Sequence, residues 1–101
     1  MTAWEEKRDQ TLRRNYGMTL DRYYAMWRGQ DGRCAICEDL IIATGPCVRE
    51  LLANVDHCHH SGIVRGLLCA RCNKGVGHFV NDLARLRAAA DYLQPHWDYL
   101  S

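Results

Sequence analysis

The sequence predicts an α+β fold in which a metal-stapled β-hairpin sits between two pairs of helices. Three observations lead there. Two Cys-x-x-Cys pairs, Cys34-Ala35-Ile36-Cys37 and Cys69-Ala70-Arg71-Cys72, bracket the middle of the chain. Between them the apolar residues alternate over short, strand-like runs, whereas on both sides they recur at helical spacing. The 101 residues suit one compact domain: a helical N-terminal arm over 1–30 packing on the core, and a zinc-bound core with a C-terminal helix over 31–101.

The elements follow in order. Residues 3–16 are charged with sparse apolar positions and end at Gly17, which reads as an exposed helix carrying Arg13 and Arg14. Thr19 is a good N-cap for a second helix. Its Leu20, Tyr23, Tyr24 and Trp27 share a face that docks on the core, and Gly29 stands at its C-cap. Leu51–His57 and Ile63–Leu68 read as two strands joined by a turn through His59-His60-Ser61-Gly62. Asn73–Phe79 reads as a short helix weakened by Gly75 and Gly77. The last helix starts near Asn81 or Asp82, lines up Leu83, Leu86, Ala90 and Leu93, and stops at Pro95.

The six cysteines pose a choice between disulfides and metal. Met1 leads into Glu5-Glu6-Lys7-Arg8 with no apolar signal region, and no segment has transmembrane length, so the reading is a cytoplasmic protein with no membrane partner. In a reducing compartment, paired Cys-x-x-Cys turns read as zinc ligands rather than redox dithiols. Cys34, Cys37, Cys69 and Cys72 would close a tetrahedral Cys₄ shell, which leaves no open position and is therefore structural. Cys47 reads as a small apolar filler. Cys58, between two histidines, reads as a half-buried strand residue, with a zinc site using it and nearby histidines as the alternative.

The net charge of +1 does not by itself point to nucleic acid: it divides into +2 over 1–30, zero over 31–79 and −1 over 80–101. The kind of base says more, with eleven Arg against two Lys, since Arg forks onto phosphate oxygens. The densest chemistry is Asp56-His57-Cys58-His59-His60, and the second zinc knuckle leads from it to Asn73. Asp56 and Asn73 offer hard oxygen ligands suited to Mg²⁺, and a neutral imidazole beside such a cation can take a proton from water. Strict strand alternation would send Asp56 and His57 to opposite faces, so a shared site needs a bend there. His78 and His96 read as ordinary surface or core histidines.

Several stretches together resemble the His-Me finger (HNH-like, ββα-metal) nucleases, and within them the recombination endonuclease VII family. They are Arg33-Cys34-Ala35-Ile36-Cys37, Val55-Asp56-His57-Cys58-His59, and Gly62-Ile63-Val64-Arg65-Gly66-Leu67-Leu68-Cys69-Ala70-Arg71-Cys72-Asn73. Gly75-Val76-Gly77-His78-Phe79 and a helix finishing at Tyr92-Leu93 extend the similarity, which covers about 31–93. The resemblance implies a ββα-metal domain with flanking helices, from a bacterial or phage-type source. It implies a structural Zn²⁺ on the four cysteines and a catalytic Mg²⁺ or Mn²⁺ on Asp56 and Asn73. His57 would be the general base and His59 would position the phosphate or assist the leaving group. The implied activity is a DNA endonuclease giving 5′-phosphate and 3′-hydroxyl ends, by nicking or by resolving branched (Holliday) junctions. Cys58 departs from the acidic residue often found at its position in that family.

The expected partner is duplex or branched DNA. Arg65, Arg71 and Lys74 would hold phosphates beside the centre, and Arg13, Arg14 and Arg22 could extend the contact. A homodimer through the N-terminal helices is expected of a junction-resolving enzyme, because two strands must be cut together. Tyr23, Tyr24 and Trp27 read as core rather than base-stacking residues. The alternative is a zinc-ribbon-like nucleic-acid-binding module without catalysis, which requires only the Cys₄ site and the arginines.

Overall fold

The computed structural model describes residues 1–99. Its order is α1 (Ala3–Tyr16), α2 (Leu20–Gly29), β1 (Asn54–His57), β2 (Val64–Leu68), α3 (Ala70–His78), α4 (Leu83–Leu93) and a 3₁₀ segment over Gln94–Tyr99. The α+β class holds, with a two-stranded antiparallel sheet as its β component.

Helix α1 begins in a reciprocal cap: Thr2 Oγ1 accepts the Glu5 N–H at 3.1 Å, and Glu5 Oε1 accepts the Thr2 N–H at 3.0 Å. Gly17, at φ 62°, ends the helix in the left-handed conformation that a side chain would disfavour. The helix is less exposed than its charge suggests. Leu12 is fully buried, and the Arg8 guanidinium lies 4.9 Å from the Tyr23 ring centroid. Asp9 ties α1 to α2 by accepting the Leu20 N–H at 2.8 Å, and it also accepts Arg13 Nε one turn along α1 at 2.8 Å. Those two bonds, the backbone one first, hold its carboxyl below the usual range. Leu12→Ala is expected to cost about 2–5 kcal/mol, read from urea unfolding; an unchanged midpoint would make α1 a free arm after all.

Helix α2 docks as its apolar face requires. Leu20 and Tyr23 are buried in the core, and Tyr24 and Trp27 pack half-buried against it. The Tyr23 hydroxyl donates to the Ala53 carbonyl at 2.6 Å, and Trp27 Nε1 to the Ile41 carbonyl at 2.8 Å. The helix runs through Gly29 and Gln30 takes the cap, one residue later than expected. Gln30 then does work a strand would do: its Oε1 accepts the Leu67 N–H at 2.9 Å and its Nε2 donates to the Leu67 carbonyl at 3.0 Å. The edge of β2 is satisfied by a side-chain amide.

Both strands are shorter than the alternation suggests. Leu51 and Leu52 fold into a turn, their N–H groups bonding the carbonyls of Val48 and Arg49, and Leu52 bridges to Ile42. Only Asn54 onward is left to pair with β2. The core gathers Leu12, Met18, Leu20, Tyr23, Ile41, Val55, Leu67 and Leu68 around this hairpin, with Cys34 and Cys69 at its margin.

Helix α3 starts at Ala70, earlier than expected, because Cys69 caps it: its Sγ accepts the Cys72 N–H at 3.3 Å. Helix α4 starts on Asp82, whose side chain accepts the Arg85 N–H at 3.1 Å. Its expected apolar face is not buried. Leu83, Tyr92 and Leu93 stay exposed, and Leu86 shares a shallow apolar groove with Ile36, Val76 and Phe79. None of the described helices is long and apolar enough to cross a membrane.

Candidate active site and metal centre

The zinc knuckles meet because the hairpin carries one to the other. The Ala35 N–H bonds the Leu67 carbonyl at 3.1 Å, which docks the first knuckle on β2 two residues before Cys69. A tight turn closed by Cys34 N–H to Asp39 carbonyl at 2.8 Å, with Glu38 at φ 65°, folds the first pair inward. The thiols of Cys34, Cys37, Cys69 and Cys72 all lie within 4.8 Å of one another, and Cys37 Sγ is 3.7 Å from Cys69 Sγ. A tetrahedron with Zn–S bonds of about 2.3 Å has edges of about 3.8 Å. The donor set fits zinc.

The thiol chemistry agrees. Burial pushes the Cys34 thiol up, yet the backbone N–H groups of Cys69, Cys37 and Ile36 outweigh it and bring it down to about 6. Burial and hydrogen bonding with the other three thiols push Cys72 up. Four thiolates side by side require a cation between them. Cys58 belongs to no such cluster among the described residues. Hydrogen bonds from the Ser61 side chain and from the Ser61 and His60 backbones lower its thiol to about 7.

The second centre lies at the far end of the hairpin. β1 and β2 pair Asp56 with Gly66 but His57 with Val64, so Arg65 is an extra residue on β2 and the ladder bulges between Asp56 and His57. That bulge is the bend that alternation lacked. Asp56 and His57, adjacent in sequence, both line one cavity of about 220 Å³ with His59, Asn73, Asn81 and Tyr16. Asn73 reaches it from α3, one turn after Cys69, whose carbonyl accepts the Asn73 N–H at 3.0 Å. The His57 and His59 rings are 4.8 Å apart, and the Tyr16 ring meets His57 edge-on at 5.2 Å. An Asp carboxylate and an Asn amide oxygen in so small a cavity suit a hydrated Mg²⁺.

The basic residues are placed unequally. Arg65 Nε and Nη2 donate to the two Asp56 carboxylate oxygens at 2.8 and 2.9 Å, and Nη2 also reaches Asn81 Oδ1 at 2.9 Å. It is tied to two cavity residues, Asp56 and Asn81, while its side chain stays exposed in the adjoining cavity. Arg71 pairs with Asp39 beside the zinc knuckle, 2.9 Å apart and well exposed, and Lys74 is exposed on α3 near Arg49 and Glu50. Arg13 pairs with Asp9, while Arg14 and Arg22 are exposed on the N-terminal helices.

Two lining residues escaped the sequence reading. Tyr16 looks like the last apolar residue of a helix. Asn81 looks like a cap beside Asp82. It reaches the cavity because Val80 and Asn81 both adopt positive φ, 56° and 55°, turning the chain back toward β2. Asn tolerates that conformation, which is the one local signal.

The recombination endonuclease VII family matches residues 9–95. The chain belongs to that family. It is also 40% identical over 94 residues to the Gene 59 protein of Mycobacterium phage D29, and 39% identical over 93 residues to the Gene 59 protein of Mycobacterium phage L5. These alignments take in 92% and 91% of the chain but 51% of each phage protein, so the chain spans about half the length of the curated relatives it matches. The family match begins within α1, so it takes in the helix that supplies Tyr16 as well as the zinc knuckles and the hairpin.

Proposed function

We propose that the chain is a divalent-metal-dependent DNA endonuclease acting in the reducing cytoplasm. The observation that carries this reading is the single cavity shared by Asp56, His57, His59 and Asn73 behind the zinc staple. A pure binding module has no need of that combination.

An unprotonated ring nitrogen of His57 takes a proton from the attacking water as the water oxygen bonds to phosphorus. The P–O3′ bond breaks on the opposite side, leaving a 5′-phosphate and a 3′-hydroxyl. His59, exposed at the cavity edge, orients a phosphate oxygen or protonates the departing oxygen. Asp56 and Asn73 would hold Mg²⁺ or Mn²⁺, which when bound would supply Lewis-acid stabilisation to the charge gathering on the phosphoryl oxygens. Arg71, beside the zinc knuckle, and Lys74, near Arg49 and Glu50, stand outside the cavity on α3 and serve phosphates farther along the strand.

Junction resolution is the finer form of this reading, because it needs two centres. The N-terminal helices offer little for a homodimer, since Leu12, Leu20 and Tyr23 are buried within the chain. The exposed Leu83 and Leu93 lie toward one side of α4 and make it the better meeting surface, checked by sedimentation of wild type against Leu83→Glu.

The decisive experiment is cleavage of a matched panel, comprising supercoiled plasmid, linear duplex, flap and four-way junction, with Mg²⁺ or Mn²⁺ and with EDTA. Metal-dependent cuts ending in 5′-phosphates are expected. Zinc-loaded, folded protein that binds but cuts none of them would leave the binding module as the reading.

A further inference from the structure

Among the described residues, the Asp56 cavity has a single carboxylate in its lining, and Arg65, which lines the adjoining cavity with His59 and Asn81, neutralises it from behind by binding both of its oxygens. Tyr16, Asn73 and Asn81 are neutral, as are His57 and His59 when unprotonated.

This ion pair is not a loose surface contact. The Asp56 side chain keeps 17% of its surface exposed and Arg65 keeps 41%. Arg65 sits at the bulge, so its place is fixed by the strand register rather than by its own side chain. Its Nη2 is further held by Asn81 Oδ1 at 2.9 Å and the His57 carbonyl at 3.4 Å. Asn81 is itself pinned, its N–H bonding the Val76 carbonyl at 3.0 Å. Swinging Arg65 away would cost four hydrogen bonds, two of them charge-assisted on both sides.

A divalent cation draws its affinity from negative charge. A carboxylate forked by a guanidinium offers little of it, and the guanidinium repels the cation directly. The carboxylate still has lone pairs the fork does not use, so the geometry for a ligand remains while the charge is lacking. A phosphodiester supplies the missing negative charge.

We propose that Arg65, anchored by Asn81, is a positioning residue that aligns Asp56 and makes cation binding depend on DNA. Cation and phosphate then enter the cavity as mutually reinforcing ligands, each tightening the other by the same factor. This rests on the nuclease reading of the same cavity. It also revises the role given to Arg65: its first partner is Asp56, and it acts on the phosphate through the charge balance.

The test is Mn²⁺ binding to the zinc-loaded full chain, followed by the electron paramagnetic resonance of free Mn²⁺. It is run without DNA and with a short duplex, all in a His57→Ala background so that the DNA stays whole. Asp56→Asn identifies the signal that belongs to this cavity, and zinc content and thermal midpoint report folding. Arg65→Gln is expected to bind Mn²⁺ about tenfold tighter than the Arg65 protein without DNA, with the enhancement by DNA reduced by a similar factor. Arg65→Lys, which keeps the charge and loses the fork, should stay weak without DNA. Unchanged or weaker DNA-free binding in Arg65→Gln would overturn the proposal, and weaker binding is what a merely structural role produces. If Arg65→Gln shows the DNA-free shift while the protein with His57 intact cuts no DNA, the nuclease reading is refuted and this one stays in place.

Discussion

His57→Ala is expected to slow DNA cleavage by about 10²–10⁴-fold, the usual loss when a positioned general base is removed. The residue ends β1 at the bulge, half-buried, with Tyr16 on one side of its ring and His59 on another. It contributes nothing to the buried core, so truncation should leave the fold intact. Zinc content, thermal midpoint and the affinity for uncut DNA should therefore stay near wild type. A His57→Ala protein that cleaves at the wild-type rate would remove His57 as the base and pass the role to His59. Because Tyr16 packs edge-on against the same ring, Tyr16→Ala should give a smaller loss in rate, through a less fixed imidazole.

Cys69→Ser is expected to cost most of the folding stability. Cys69 is buried, is one of the four clustered thiols, and caps α3 through its Sγ. Serine is among the best N-caps, so this substitution keeps the capping chemistry and isolates the metal. Zinc binding in small sites contributes about 10–16 kcal/mol at neutral pH. A whole domain has only about 5–15 kcal/mol to lose. The variant should thus lose zinc by elemental analysis and show either no cooperative melt or a midpoint lower by tens of degrees. An unchanged melting curve would overturn the structural-zinc reading. The damage should spread to the cleavage centre, since Asn73 lies one helical turn beyond Cys69.

The legible parts of the chain were those whose physics is local. Capping chemistry marks the starts of α2 and α4: Thr19 and Asp82 each bond a backbone N–H three residues on. The Cys-x-x-Cys turns are local too, and their pairing into one cluster follows from ligand chemistry. Three features misled because their causes lie far away in sequence. The strand before Asn54 is lost to pairing with Ile42 and a turn at Val48. The last apolar face, on α4, reads as a core face, yet the core it would join is already filled by α1, α2 and the hairpin. The exposed arm of α1 proves to carry the fully buried Leu12.

By itself, then, the sequence determined the helices through their caps and periodicity, the Cys₄ staple through its spacing, and the membership of Asp56, His57, His59 and Asn73 in one candidate centre. Tertiary structure alone decided how that centre is built. Periodicity puts neighbouring strand residues on opposite faces, and only a register shift against β2 could bring Asp56 and His57 to the same cavity. That same shift left Arg65 unpaired in the ladder and placed its guanidinium on Asp56, with Asn81 turned back to meet it. Such a contact depends on which residue stands opposite which across nine positions of chain, and a one-residue difference in register would erase it.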